Sequence, residues 1–128
     1  MQTLGIDFGL KKVGIAIGTG SLAEPYMVLR YSDMKILEEE IKKICDKEKV
    51  EKIIVGVSEG EMAQKTREFI DDLKREFSIP VEEFDETLST QEAQRLSIES
   101  PMRRSKRREM EDAIAASVML QNYIDSLT

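Results

Sequence analysis

Residues 1–20, Met1-Gln2-Thr3-Leu4-Gly5-Ile6-Asp7-Phe8-Gly9-Leu10-Lys11-Lys12-Val13-Gly14-Ile15-Ala16-Ile17-Gly18-Thr19-Gly20, decide the fold. They divide into an apolar run over 2–8, a tight Gly-Leu-Lys-Lys turn, and a second apolar run over 12–18. In the second run Val13, Ile15 and Ile17 alternate with the small residues Gly14, Ala16 and Gly18, which is the period of a strand. Too few residues separate the runs for a helix, so an antiparallel hairpin is predicted. Asp7 falls where the first strand runs out. Burying an unpaired carboxylate is costly, so Asp7 is either functional or paired, for instance as an acceptor for the Phe8-Gly9-Leu10 turn.

Beyond the hairpin, Gly18-Thr19-Gly20 breaks the pattern, and 24–31 reads as a third strand whose Pro25, at its start, suits a sheet edge. Ser32 or Asp33 can cap a first helix. In that helix Met34, Leu37, Ile41, Ile44 and Cys45 recur at three- and four-residue spacing. The continuous apolar run Lys52-Ile53-Ile54-Val55-Gly56-Val57 is that of a central parallel strand covered on both faces. A second helix is expected over 61–77, with Ala63, Thr66, Phe69, Ile70, Leu73 and Phe77 inward, and a fifth strand from Val81 to Asp85 or Glu86. Ser89 with Glu92 has capping-box spacing for a short third helix that Ser100-Pro101 ends. Residues 103–108 are expected to be a basic loop. A last helix is expected from about 109 to 127, with Met110, Ala113, Ile114, Ser117, Leu120, Ile124 and Leu127 toward the core.

This order predicts an α/β fold with a mixed five-stranded sheet. Right-handed crossovers give the order 3-2-1-4-5, with strand 2 antiparallel and helices on both faces. Strand 1 is then central. Its C-terminal end lies beside those of strands 4 and 5, where α/β sheets hold their sites.

Composition narrows the chemistry. A chain of 128 residues is expected to form one domain over 1–128 with a substantial core. No run is long enough to span a bilayer and no signal peptide is read, so no membrane partner and a cytoplasmic location are expected. The single cysteine, Cys45, has no internal disulfide partner and is expected to be a core thiol. The absence of histidine removes the serine–histidine and cysteine–histidine triads and disfavours zinc. Acid–base or metal chemistry therefore rests on carboxylates. A net charge of −6 argues against a passive DNA-coating protein, though not against a nucleic-acid enzyme.

The predicted topology gathers three acidic stretches: Asp7, the Asp85-Glu86 pair, and Asp112 in the first turns of the last helix. Carboxylates converging from separate elements suit Mg²⁺ or Mn²⁺, which prefer hard oxygen ligands. Two such ions can clamp the attacking and leaving oxygens of a phosphodiester. Taken singly, Asp85 and Glu86 also read as polar strand-end residues, and Asp112 as an acid near a helix N-terminus. Lys11 and Lys12 lie in the turn beside Asp7. Arg103, Arg104, Lys106, Arg107 and Arg108 form the dense positive cluster of an acidic chain, which reads either as a solvated charge run or, beside an acidic metal site, as phosphate contacts. No aromatic residue interleaves with them, so base stacking is not indicated there.

Three separated segments then carry a resemblance. Gly5-Ile6-Asp7-Phe8-Gly9-Leu10-Lys11-Lys12-Val13-Gly14-Ile15-Ala16, Phe84-Asp85-Glu86-Thr87-Leu88-Ser89-Thr90-Gln91-Glu92-Ala93, and residues 111–125, beginning Glu111-Asp112-Ala113-Ile114, resemble the three signatures of the YqgF family. These are Holliday-junction-resolvase-like nucleases of the ribonuclease H-like fold. The resemblance spans essentially the whole chain, in order. It implies a metal-dependent endonuclease, with roles in maturing the 5′ end of 16S ribosomal RNA and in resolving DNA junctions. It carries the family's catalytic acids onto Asp7, Asp85, Glu86 and Asp112, with Asp7, Glu86 and Asp112 as metal ligands. Whether the Asp85-Glu86 pair gives one ligand or two stays open. The family's basic positions after the first acid match Lys11 and Lys12. The chain departs from the family at Thr87, where arginine is usual, and at Val57-Ser58-Glu59-Gly60, where a Leu-Pro-containing loop is usual. Both departures bear on substrate binding rather than on metal binding.

The expected partner is structured RNA or DNA, and junction resolution by paired active sites implies a homodimer. The alternative is a nucleic-acid-binding or ribosome-assembly factor that keeps the fold without turnover. An actin-like or sugar-kinase-like ATP site shares the strand, Asp-x-Gly turn and strand, but needs a second domain that 128 residues do not supply.

Overall fold

The computed structural model describes residues 2–85 and 104–127, with the side chains of 104–108 left out. The elements are β1 (Gln2–Asp7), β2 (Lys12–Thr19), β3 (Leu22–Arg30), α1 (Met34–Glu48), β4 (Val50–Val57), α2 (Glu61–Glu76), β5 (Val81–Asp85) and α3 (Arg104–Ser126). The strands form one sheet in the order β3-β2-β1-β4-β5. β2 is antiparallel to both β1 and β3, while β4 is parallel to β1 and β5, as the sequence predicts.

Alternation along the strands sends two different sets of side chains to the two faces. On one face Leu4, Ile6, Val13, Ile15, Ile53 and Val55 meet Leu37 and Ile41 of α1 and Phe69, Ile70 and Leu73 of α2. Cys45 belongs to this core, and burial pushes its thiol pKa up to about 11, with Asp46 adding to the shift. It is therefore a protonated packing residue at neutral pH. The other face carries Gly5, Gly14, Ala16, Gly18 and Ile54, and α3 lies on it through Ala116, Met119, Leu120 and Tyr123. A Cβ on Gly14 would stand 1.9 Å from the carbonyl oxygen of Asp112, and one on Gly5 would stand 2.9 Å from Cβ of Leu120. The small residues of the β1–β2 hairpin are thus a lane that lets the α3 backbone rest almost on the sheet.

Local signals set the remaining boundaries. Asp33 caps α1 by accepting from the Lys35 N–H at 2.8 Å. β3 begins at Leu22, two residues before the expected Glu24, so Pro25 lies within the strand rather than at its start. Pro25 pairs with Ala16 and Met27 with Ile15, which leaves Tyr26 as a bulge. An edge strand accommodates proline there because the missing N–H breaks no outer ladder.

The basic segment corrects the sequence reading. α3 starts at Arg104, so Arg104, Lys106, Arg107 and Arg108 belong to its first turns and not to a loop. Arginine and lysine are good helix formers, and charge density by itself interrupts nothing. Asp112 consequently lies roughly two turns into α3, beyond reach of the helix N-terminus. The inward face also differs. Ala116, Met119 and Tyr123 are buried, whereas Leu127 is 67% exposed. The helix expected from Ser89 to Ser100 lies outside the described residues, as do Glu86 and Arg103.

Candidate active site

Asp7 closes β1 between two glycines, Gly14 of β2 and Gly56 of β4. Gly56 pairs in turn with Phe84 of β5, so one row across the sheet reads Gly14, Asp7, Gly56, Phe84. Residues side by side in a ladder share a face, and this row faces α3. Because the Asp112 backbone rests on Gly14, α3 delivers Asp112 over the strand next to Asp7. Asp7 and Asp112 line one hollow of about 480 Å³ together with Phe8, Gly9, Leu10, Lys11, Lys12 and Met62. Asp7 is half-buried, which resolves the awkward position of its charge in the sequence.

The ammonium of Lys12 stands 3.1 Å from Oδ2 of Asp112. Both side chains are partly exposed, at 43% and 30%, so the pair contributes no more than about 1 kcal/mol to stability. Its meaning is electrostatic: a positive charge already rests against a carboxylate of the hollow. Oxygen donors that draw a cation to this spot fit Mg²⁺ or Mn²⁺ better than a softer metal. Asp7 and Asp112 come from different elements and line the same hollow. Among the described residues no three carboxylates gather closely enough to hold an ion.

The turn that carries the lysines is held from below. The Tyr31 hydroxyl donates to the Gly9 carbonyl at 2.6 Å, and the Tyr31 N–H donates to the Lys11 carbonyl at 3.1 Å. Burial raises the Tyr31 pKa, which keeps it a neutral donor. Phe8 stacks on Phe69 with ring centroids 4.3 Å apart, anchoring the start of the turn in the α2 core. Nothing in the residue pattern singles out Tyr31. Its position one residue past the third strand, level with the turn, is visible only once β2 and β3 are in register.

Asp85 is placed elsewhere. It pairs with Val57, and Val57 and Val81 belong to the α1/α2 face. Glu83 shares this parity and meets Arg67 of α2 at 3.5 Å. Asp85 is exposed and lines a second hollow, of about 330 Å³, with Val57, Ser58, Glu59, Arg67, Glu83 and Phe84. The structure therefore brings Asp7, Asp112, Lys11 and Lys12 together and sets Asp85 in the neighbouring hollow. In α3, positions 104 and 108 precede Asp112 by about two turns and one turn, on the same row of the helix.

A sheet of this order, with an aspartate at the C-terminal end of its central strand and a second on the helix packed over it, has the ribonuclease H-like fold. Solved structures share the fold: Thermus thermophilus RuvC bound to a Holliday junction substrate aligns over 100% of this chain and 97% of its own, with a TM-score of 0.67 at 14% identity. The fowlpox virus resolvase bound to Holliday junction DNA aligns over 99% of both chains, with a TM-score of 0.62 at 16% identity. A model of the RuvX Holliday junction resolvase family matches residues 1–126, and the chain belongs to that family. Two relatives carry the name "Putative pre-16S rRNA nuclease". The protein from Halothermothrix orenii is 40% identical, covering 98% of this chain and 95% of its own. The protein from Thermoanaerobacter pseudethanolicus is also 40% identical, covering 98% and 97%. The three sequence motifs pointed to this same family of nucleases.

Proposed function

We propose that the protein is a divalent-metal-dependent endonuclease that hydrolyses phosphodiester bonds in structured nucleic acid. The precursor of 16S ribosomal RNA is its first candidate substrate and the four-way DNA junction its second. The observation that carries this reading is the shared hollow of Asp7 and Asp112, with the Lys12 ammonium 3.1 Å from Asp112. Asp7, Glu86 and Asp112 would hold Mg²⁺ or Mn²⁺. Of the acidic pair, Glu86 is the proposed ligand because Asp85 has the parity of the α2 side. Asp85 is left to act from the adjoining hollow. A bound metal of this kind polarises a phosphoryl oxygen and lowers the pKa of a water.

The rest of the work falls to the chain's own groups. Lys11, exposed at the tip of the turn, and Lys12, on the hollow's wall, are placed to take non-bridging phosphate oxygens. The pinning of the turn by Tyr31 means that neither lysine orders its backbone on binding, which lowers the entropic cost. Arg103, Arg104, Lys106, Arg107 and Arg108 would extend the phosphate contacts along the start of α3, and binding should weaken steeply with salt. Acting on both strands of a junction would take two copies of the site, hence a homodimer. A ribosomal RNA precursor as substrate fits a cytoplasmic setting.

The test uses purified protein with Mn²⁺ or Mg²⁺ against a 16S precursor and a four-way junction in parallel, with Asp7→Asn as control. Asp7→Asn is expected to lose at least about a thousandfold in cleavage while unfolding at the same temperature, the scale of removing one key charge stabiliser. Unchanged cleavage by this variant would sink the assignment. Salt-sensitive binding without cleavage under any divalent ion would favour the assembly-factor reading.

A further inference from the structure

Leu10 is an anomaly within the site. Among the described residues the exposed large apolar side chains are Leu10, Leu22, Ile36 and Leu127. Leu22 begins β3 beside Thr19, at the end of the sheet away from Asp7. Ile36 lies in the first turn of α1, and Leu127 just past the end of α3. Such isolated surface residues need no explanation. Leu10, 54% exposed, borders the hollow of Asp7 and Asp112, and Met62 of α2, partly buried against the α1/α2 core, lines the same hollow. It also stands on a turn that Tyr31 fixes by two hydrogen bonds, so the backbone that presents the side chain is pinned on both sides of Leu10.

We propose that Leu10, with Met62 in the same hollow, is the surface on which one unpaired nucleobase of the substrate strand packs, so that the site selects a nucleotide already out of a base-paired stack. This rests on the nuclease reading above and specifies the substrate for it. The positive groups of the same hollow direct the strand: Lys11 follows Leu10 directly, and Lys12 comes next in the turn. A backbone whose phosphates meet these lysines can place a base, rather than another phosphate, against the apolar side chain that borders the same hollow. Leucine offers no hydrogen bond to a base edge and methionine only a weakly accepting sulfur, so the surface is largely indifferent to base identity. What it requires is an accessible base face, and exposing one in an intact duplex costs the stacking and pairing of that base. A bulge, a junction crossover or a single-stranded flank offers it without that cost. The apolar surface therefore discriminates by structure rather than by sequence.

The experiment compares two RNA duplexes that differ only at one position, with Ca²⁺ in place of Mg²⁺ or Mn²⁺ to suppress turnover. One is fully paired, and the other carries a single bulged 2-aminopurine. The unsubstituted protein is expected to bind the bulged duplex about tenfold more tightly, with a change in 2-aminopurine fluorescence as the base leaves water. Leu10→Ser should bring the ratio to within about threefold and abolish the fluorescence change, while Leu10→Met restores both. Lys11→Gln should weaken binding to both duplexes and leave the ratio intact. A Leu10→Ser protein that keeps the full ratio and the fluorescence change overturns the proposal, as does failure of the unsubstituted protein to prefer the bulge. If bulge selection depends on Leu10 but no divalent ion supports cleavage, the nuclease reading fails and the packing surface stands. If cleavage is normal but selection ignores Leu10, the reverse holds.

Discussion

On the α1/α2 side of the sheet the strands supply the bulk, and on the α3 side they supply almost none. Leu4, Ile6, Val13, Ile15, Ile53 and Val55 fill the first interface with branched side chains. Gly5, Gly14, Ala16 and Gly18 leave the second to be filled by the helix itself. The first arrangement absorbs small changes by rotamer adjustment. The second sets the helix by contact between main chains, which have no rotamers to adjust. The carboxylates Asp7 and Asp112 belong to the second. The difference separates the two tasks: one face holds the fold together and the other fixes positions.

The sharpest way to break this division is to substitute once on each face. Phe69→Ala, in the centre of the α1/α2 core, should cost about 3–5 kcal/mol of stability in urea unfolding. Divalent-ion binding should survive wherever the protein stays folded. Gly14→Ala should cost about 1–3 kcal/mol, less than Phe69→Ala, yet destroy ion binding, because its methyl group lies where the Asp112 carbonyl is. A Gly14→Ala protein that binds ions normally would remove the positional role of the glycine lane.

A smaller effect tests the electrostatics of the positioning face. Lys12→Met should change stability in the absence of metal by less than about 1 kcal/mol, since the Lys12–Asp112 pair is largely solvated. It should nevertheless tighten Mn²⁺ binding, because Asp112 no longer has an internal cation to give up. Isothermal titration of both proteins decides this, and weaker binding by the variant would mean that Lys12 orders the carboxylate rather than competing for it.

The smallest effect lies at the other end of α3. The Tyr123 hydroxyl donates to Glu82 at 2.8 Å and accepts from Lys52 at 3.0 Å, and Lys52 reaches Glu82 at 3.1 Å. The Glu82 pKa is lowered, first by the Tyr123 hydrogen bond and then by that of Lys52. A group with a depressed folded pKa contributes stability above its ordinary pKa and loses it as pH falls through the folded value. Thermal unfolding between about pH 5 and pH 3 should therefore be less pH-dependent in Tyr123→Phe. The effect is modest because Glu82 remains about half exposed to solvent. An identical acid profile in both proteins would remove the coupling.

Much of this was legible in the residues. Alternation in β2, the helical spacing from Met34 to Cys45 and the unbroken run in β4 carry strong periodic signals, and the strand order follows from them. Even the glycine lane was in view as small residues at alternate positions, although its meaning depends on what lies above it. Asp85 was harder. Val81-Glu82-Glu83-Phe84-Asp85 has apolar residues at 81 and 84, an odd separation that no single strand face can satisfy. Val81 in fact faces α1 and α2, while Phe84 faces Tyr123 of α3 at a centroid distance of 5.7 Å. Nothing in such a short strand tells which apolar residue sets the parity, and with it the side on which Asp85 falls. The start of α3 was missed for a different reason. Proline and glycine punctuate a helix and repeated arginine does not, so the charge run carried no boundary information.

The contact between Gly14 and the Asp112 backbone has a consequence for how the protein fails. A site assembled from flexible side chains can lose its geometry gradually while the scaffold persists. Here the gap between the hairpin and α3 is closed by main-chain atoms, and close-packed interiors yield little before they come apart. The pairing of Asp7 with Asp112 is therefore tied to the cooperative integrity of the sheet and its last helix, and heat should abolish function and fold in a single step.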